Sequence, residues 1–134
     1  MQQINILVVE DNPVIRDLCL LGIEKLQHEK DTKLLRFFVE QAADGGSAWQ
    51  YIQNNQVDLL VIDLYLPVLN GLELIRRIRK SSAIQNMKIL AISASIQDAR
   101  DRSLGAGANL FLQKPLRLVD LLEALRTLLN LPVP

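Results

Sequence analysis

The sequence predicts an α/β domain in which five strand-then-helix repeats build one parallel sheet, and three observations carry that expectation. Short apolar runs alternate with stretches of helical periodicity along the whole chain, the signature of successive βαβ units. The run Leu59–Ile62 is wholly apolar and rich in branched side chains, as a strand covered on both faces must be. A length of 134 residues suits one domain, large enough to bury roughly two thirds of the surface of its unfolded chain.

Each element has its own signal. Strand one is Ile4–Val9, after which Asn12 serves as N-cap and Pro13 takes the first helical position, where its missing N–H costs nothing. Helix one then runs Pro13–Gln27 with Ile15, Leu18, Gly22 and Leu26 inward. The polar stretch His28–Lys33 leads to strand two, Leu34–Ala42. The turn Asp44-Gly45-Gly46 opens helix two, which carries Ala48, Trp49 and Ile52 at helical spacing. Strand three is Leu59–Asp63, and helix three is Gly71–Lys80 with Leu72, Ile75 and Ile78 inward. Strand four is Lys88–Ser93, helix four Ile96–Leu104 and strand five Leu110–Gln113. Helix five, Leu118–Leu129, places Leu118, Leu121, Leu122, Leu125, Leu128 and Leu129 on one broad face. The domain is expected to occupy residues 1–130, leaving 131–134, LPVP, as a tail or the start of a linker that cannot continue the helix.

Composition narrows the function classes. With 49% hydrophobic residues, 22% charged residues and a formal net charge of +0, the chain has neither the basic balance nor the basic stripe expected of a nucleic-acid binder. The single cysteine, Cys19, sits in an apolar helical pattern, excludes an intramolecular disulfide and reads as a small buried hydrophobe in a reducing compartment. MQQINILVVED lacks a basic leader with a cleavage site, and no apolar run approaches the ~18 residues of a membrane span. The expected location is cytoplasmic, with no membrane contact. His28, the sole histidine, lies in a charged connection and reads as solvated.

In an open parallel sheet the functional crevice lies outside the carboxyl ends of the strands. Glu10 and Asp11 follow strand one, Asp63 ends strand three, Ser93 ends strand four and Lys114 follows strand five, so the fold collects them at one edge. Asp58 belongs to the same segment as Asp63 but stands roughly 16 Å away along an extended strand, at the amino end, where no partner is expected. Two carboxylates ~4 Å apart repel by about 4 kcal/mol at an effective dielectric near 20. Three carboxylates must therefore protonate, splay apart or share a cation. An all-oxygen donor set with room for water suits Mg²⁺ or Mn²⁺, and no His or Cys cluster invites zinc. With the metal and Lys114 neutralising a phosphoryl group and Ser93 donating to one of its oxygens, Asp63 can attack phosphorus and become an aspartyl phosphate.

Singly, each residue admits a plainer role. Glu10 and Asp11 can favour the amino end of helix one, Ser93 can be a strand-end hydroxyl, Lys114 a solvated charge and Phe111 core packing. Those roles leave the convergence unexplained.

Four motifs, VVEDNP, DLYLPVLNG, ISAS and GAGANLFLQKPL, in this order, resemble those of the receiver domain of two-component response regulators, the family of the chemotaxis regulator. The resemblance extends from Ile4 to about Leu129. It implies a flavodoxin-like doubly wound five-stranded parallel sheet, (βα)5, with strand order 2-1-3-4-5. It implies Glu10, Asp11, Asp63 and the backbone carbonyl of Tyr65 as metal ligands, and Asp63 as phosphoacceptor. It further implies Ser93 and Lys114 as phosphoryl contacts, a cis bond before Pro115, and Phe111 as an aromatic that turns inward on activation. The implied partners are a histidine kinase or histidine phosphotransfer protein upstream, and a protein target downstream through helix four, strand five and helix five.

Three departures carry expectations of their own. LQHEKDTKLLRFF is longer and more charged than usual, inviting a partner contact or an extended helix. Asn109 and Phe111 in GANLF argue against a dimer through helix four, strand five and helix five. Tyr65 places a ring two residues after the phosphoacceptor, where it can screen attacking water and so affect the lifetime of the phosphate. The expectation is a signalling phosphoacceptor with slow self-dephosphorylation rather than an enzyme. A constitutive interaction module would not need the intact acidic, hydroxyl and lysine set. A Mg²⁺-dependent phosphatase would need a second acid where Tyr65 stands, and a substrate cap. The start of strand one near Met1 and the complete helix five favour a stand-alone regulator over a relay intermediate or the first part of a longer protein.

Overall fold

The computed structural model describes residues 2–94 and 98–133. Five strands alternate with helices: β1 (Gln2–Val9), α1 (Pro13–Gln27), β2 (Leu35–Ala42), α2 (Gly45–Asn54), β3 (Leu59–Asp63), α3 (Gly71–Lys80), β4 (Lys88–Ser93), α4 (Ala99–Ala106), β5 (Leu110–Gln113) and α5 (Leu118–Leu128). All pairings are parallel and the strand order is β2-β1-β3-β4-β5. This is the flavodoxin-like doubly wound sheet.

Strand alternation divides the core into two layers. On one face Leu7, Leu60, Ile62 and Ile89 pack against Ala48 and Ile52 of α2, Ile75 and Ile78 of α3, and Ala99 of α4. On the other, Ile6, Val8, Val61 and Ile92 meet Cys19 and Ile23 of α1 and Leu121 and Leu125 of α5. β3 lies in the middle of the sheet and is buried at all five positions. Cys19 is fully buried, and its burial pushes the thiol up to about 12, so it acts as a core hydrophobe. Gly22 and Leu26 are buried as expected and Ile15 packs half-buried against this layer, while Leu18 is only half-buried and Cys19 and Ile23 complete the buried face.

The first three helices each start from a side-chain cap just beyond a strand. Asn12 Oδ1 accepts from Val14 N at 2.9 Å, Asp44 Oδ1 from Ser47 N at 2.7 Å and Asn70 Oδ1 from Leu72 N at 2.8 Å, each cap contributing about 1 kcal/mol. Asn12 therefore performs the capping that Glu10 and Asp11 could have supplied. Gly45 is needed where the loop after β3 crosses α2, because a Cβ there would lie 1.8 Å from the Leu69 carbonyl oxygen.

The charged segment after α1 holds one 3₁₀ turn, Lys30–Thr32, rather than an extended helix. Its Asp31 forms a two-pronged pair with Arg126 of α5, at 2.7 and 3.0 Å, and the same guanidinium donates to Pro132 O at 3.0 Å. Leu131 N donates to Arg126 O at 2.8 Å, with Asn130 left-handed at φ 59°, so the tail turns back onto the domain. Asp58 also has partners, contrary to expectation. Its Oδ2 accepts from Asn5 N at 2.7 Å and Asn5 Nδ2 at 3.2 Å, tying β3 to β1 at the amino edge of the sheet.

Helix four follows Asp98, and Ser95 of the ISAS run and Ile96, its expected start, lie outside the described residues. The base of α4 is fixed by Arg79. Its guanidinium donates to Gly107 O at 2.8 Å, Gln85 O at 2.7 Å, Met87 O at 2.6 Å and Asn109 Oδ1 at 2.9 Å. Asn109 Oδ1 also accepts from Ile89 N at 2.7 Å, which gives this departure from the family pattern a structural task. Gly107, at φ 125°, leaves room for Arg79, whose Cγ would lie 2.5 Å from any Cβ. No helix of the described residues is long and apolar enough to cross a membrane.

Arg79→Met keeps much of the stem but takes the guanidinium donor from three carbonyl groups and leaves Asn109 Oδ1 with Ile89 N alone. Urea denaturation should show a loss of about 2–4 kcal/mol; a change within about 0.5 kcal/mol would show that the Arg79 contacts are replaced by water at no cost.

Candidate functional site

The carboxyl ends of β1 and β3 lie side by side, with Val9 paired to Ile62, so Glu10 and Asp63 leave adjacent strands at the same level. Asp11 follows Glu10 at the surface. The carboxylate groups of Glu10, Asp11 and Asp63 each present an oxygen within 4.8 Å of the other two. Glu10 is fully buried, Asp63 is 5% exposed and Asp11 is open to solvent.

Lys114 arrives from the end of β5. Its Nζ lies 2.9 Å from Asp63 Oδ2 and 2.5 Å from Glu10 Oε1. The backbone places it there, with Lys114 N donating to Ser93 O at 2.8 Å. The Lys114–Pro115 bond is cis, as expected. Burial works against the Lys114 charge, but attraction to the Glu10 and Asp63 carboxylates outweighs it and holds the ammonium above its ordinary range.

One cation does not satisfy the cluster. Glu10 keeps both carboxylate oxygens buried without a donor in hydrogen-bonding geometry, the Lys114 contact being an ion pair only. Burial, then the neighbouring Asp63 carboxyl, push Glu10 up to about 7 despite the opposing pull of Lys114. Orphaned buried carboxylate oxygens beside two further carboxylates are what a hard divalent cation relieves. The donor set fits Mg²⁺ or Mn²⁺: all oxygen, few protein ligands and an open side at Asp11.

Of the other expected residues, Ser93 is fully buried at the end of β4, next to the β3 end through the Asp63–Ile92 pairing. Tyr65 N donates to Asp63 Oδ1 at 3.1 Å, and the Tyr65 residue is 51% exposed at the rim. Phe111 stands apart from the acids: it pairs with Ala91 and is half-buried against the α2–α3–α4 core layer. The loop joining Asp63 to α3 is held tightly, with Leu64 N donating to Ile92 O at 3.0 Å and Leu69 N to Pro67 O at 2.8 Å. Within it Val68 takes φ 71° while 85% exposed, a costly conformation for a β-branched residue.

One neighbour escapes sequence reasoning. Arg16 Nη1 donates to the Glu10 carbonyl at 3.4 Å, and its Nε is buried without a hydrogen-bond partner among the described residues. The only available signal was its place in the first turns of α1, six residues after Glu10.

Comparison with known proteins bears on this arrangement. Residues 6–126 match the model of the response regulator receiver domain. The response regulator MprA of Mycobacterium sp. strain KMS is 34% identical over 131 residues, 98% of this chain and 53% of MprA. The receiver domain of the sensor histidine kinase PA1611 of Pseudomonas aeruginosa PAO1, solved with a magnesium ion coordinated in its active-site cleft, is 29% identical. That likeness has a TM-score of 0.80 and covers 96% of this chain and 98% of that one. A CheY-like response regulator receiver domain protein of Methanospirillum hungatei JF-1 is 28% identical, with a TM-score of 0.79 over 96% and 95% of the two chains. The chain spans about half the length of several curated relatives it matches, and less of others.

The raised Glu10 value has a consequence for stability. Folded Glu10 holds its proton from its ordinary 4.5 up to about 7, so the metal-free protein binds more protons folded than unfolded and loses stability as pH rises through that window. Glu10→Gln removes the titration. With divalent ions chelated, the variant should gain on the wild type between those pH values by on the order of 3 kcal/mol in urea denaturation. Parallel pH profiles would show that the buried carboxylate carries no such penalty.

Proposed function

The chain belongs to the response regulator receiver domain family of two-component signalling, and from that premise we propose that it is a Mg²⁺-dependent phosphoacceptor whose acceptor is Asp63. The observation that carries the proposal is the convergence at one strand edge of Asp63, the Lys114 ammonium 2.9 Å from it and a Glu10 carboxylate buried without a donor.

In this reading Glu10, Asp11, Asp63 and the Tyr65 carbonyl hold the divalent ion. When bound, the ion supplies positive charge that screens the incoming phosphoryl oxygens from the acids. The donor is phosphohistidine of a histidine kinase or histidine phosphotransfer protein. An Asp63 carboxylate oxygen forms the new P–O bond while the P–N bond breaks, and the electron pair leaves with the donor's imidazole. Lys114, already tethered to Asp63, neutralises one phosphoryl oxygen, and the Ser93 hydroxyl donates to another. Nothing else is asked of the protein, so it is a signalling acceptor with slow self-dephosphorylation rather than a turnover enzyme.

Phosphorylation then changes the surface formed by α4, β5 and α5. Ser93 moves toward the phosphoryl group and Phe111 turns from its half-buried position into the vacated space, biasing the domain toward a downstream protein target. GANLF gives that surface no basis for a self-complementary dimer, because Asn109 is committed to Arg79 and Ile89. The proposed compartment is the cytoplasm. Tyr65, at the open rim, screens the phosphoryl group from water and sets its lifetime.

Incubation with acetyl phosphate or a kinase partner and Mg²⁺ should add one phosphoryl group, seen by intact-protein mass spectrometry, and Asp63→Asn should abolish it. Full labelling of that variant would remove Asp63 from the role. In the same assay Tyr65→Asn should lose its phosphoryl group several-fold faster than the wild type; equal decay would sink the screening role.

A further inference from the structure

We infer that the groove between α2 and α3 is a docking site for an acidic peptide segment of a partner protein, carrying one apolar side chain amid its acids. This rests on surface features away from Asp63 and is independent of phosphoryl transfer.

The groove encloses about 430 Å³, room for one large side chain and its flanking backbone. Its apolar floor is Trp49, Ile52 and Ile84, and its rim is Arg77, Lys80 and Ser81. The Arg77 guanidinium sits over the Trp49 ring, 5.8 Å from its centroid, so the cation and the apolar floor are presented together. An anchor side chain buried there gains hydrophobic free energy, while carboxylates on either side of it meet cations.

The charge pattern selects the partner. Helix α3 ends Arg76-Arg77-Ile78-Arg79-Lys80, and the fold uses these cations unequally. Arg79 spends its guanidinium on Gly107, Gln85, Met87 and Asn109. Arg76, Arg77 and Lys80 remain exposed. The facing wall, α2, has no charged residue among its ten, so nothing there repels an acid. Glu73, the one acid of α3, reaches Arg77 at 3.4 Å, with both side chains nearly half exposed. A surface pair of that kind is worth little and is readily exchanged for a partner's carboxylate. Three exposed cations on a chain of formal net charge +0 make a short patch, matched to a few carboxylates rather than to a continuous phosphate backbone.

Position separates this surface from the proposed switch. Gly71, at the start of α3, donates to Leu64 O at 2.9 Å, one residue beyond Asp63. The groove lies at the other end of the helix, where Ser81 and Ile84 lead into β4. Docking there leaves the crevice above Asp63 open.

The sole tryptophan of the chain lies in the groove and provides the readout. Random twelve-residue peptides displayed on phage are selected on the immobilised full chain, and enriched sequences are synthesised and titrated while Trp49 emission is followed. The expected peptides are net acidic with a central leucine or aromatic residue, shift the emission, and weaken by about tenfold or more against R77E/K80E. Both substitutions lie on the exposed face of α3, so matching thermal unfolding of variant and wild type checks the fold. No enrichment, enrichment of neutral or basic peptides, or equal binding to the double variant would overturn the inference. So would a single-stranded oligonucleotide that shifts Trp49 emission at lower concentration than any selected peptide.

Discussion

The structure turns on the Lys114 ammonium, which holds Glu10 and Asp63 together at the carboxyl edge of the sheet. Two buried carboxylates from adjacent strands would drive those strands apart or take up protons. One buried cation offsets part of that repulsion and leaves the rest on Glu10, whose pKa stays raised. Its reach depends on β5 lying beside β4 and on the Lys114 N–H bond to the Ser93 carbonyl, so an edge strand of the sheet supplies the cation to the acids at its centre.

That neutralisation is deliberately incomplete in chemical terms. A single ammonium faces three carboxylate groups, and Glu10 retains buried oxygens with no donor. A domain selected only for stability would exchange Glu10 for an apolar residue, since isolated buried polar groups cost free energy. Retaining it leaves the edge short of positive charge, an imbalance that a divalent ion relieves. Glu10 and Asp63 are buried at their strand ends, so neither reaches water to relieve it.

Much of this was legible in the sequence because its signals were local. Leu59–Asp63, Gly71–Lys80, Lys88–Ser93 and Leu110–Gln113 fall where the apolar runs and helix signals place them, and the strand-end acids converge as the parallel topology requires. Helix four was harder: ARDRSLGA has no apolar stripe, and its position is fixed by Arg79 rather than by periodicity. β1 begins at Gln2, earlier than its apolar run, because Gln2 N finds the Leu34 carbonyl. Pairings between distant residues left no sequence trace. Asp31 with Arg126, Asp58 with Asn5, and Asn109 with Arg79 are separated by 95, 53 and 30 residues respectively. Asp58 thus looked partnerless, and Asn109 looked only like a departure from a pattern.

Calorimetric titration of Mg²⁺ into the protein decides whether the acid cluster holds a cation. One ion should bind per chain, and binding should be lost in Asp11→Asn, which removes the exposed carboxylate without disturbing the buried Glu10–Lys114–Asp63 cluster. No heat of binding to the wild type at millimolar Mg²⁺, or binding that survives Asp11→Asn unchanged, would contradict it.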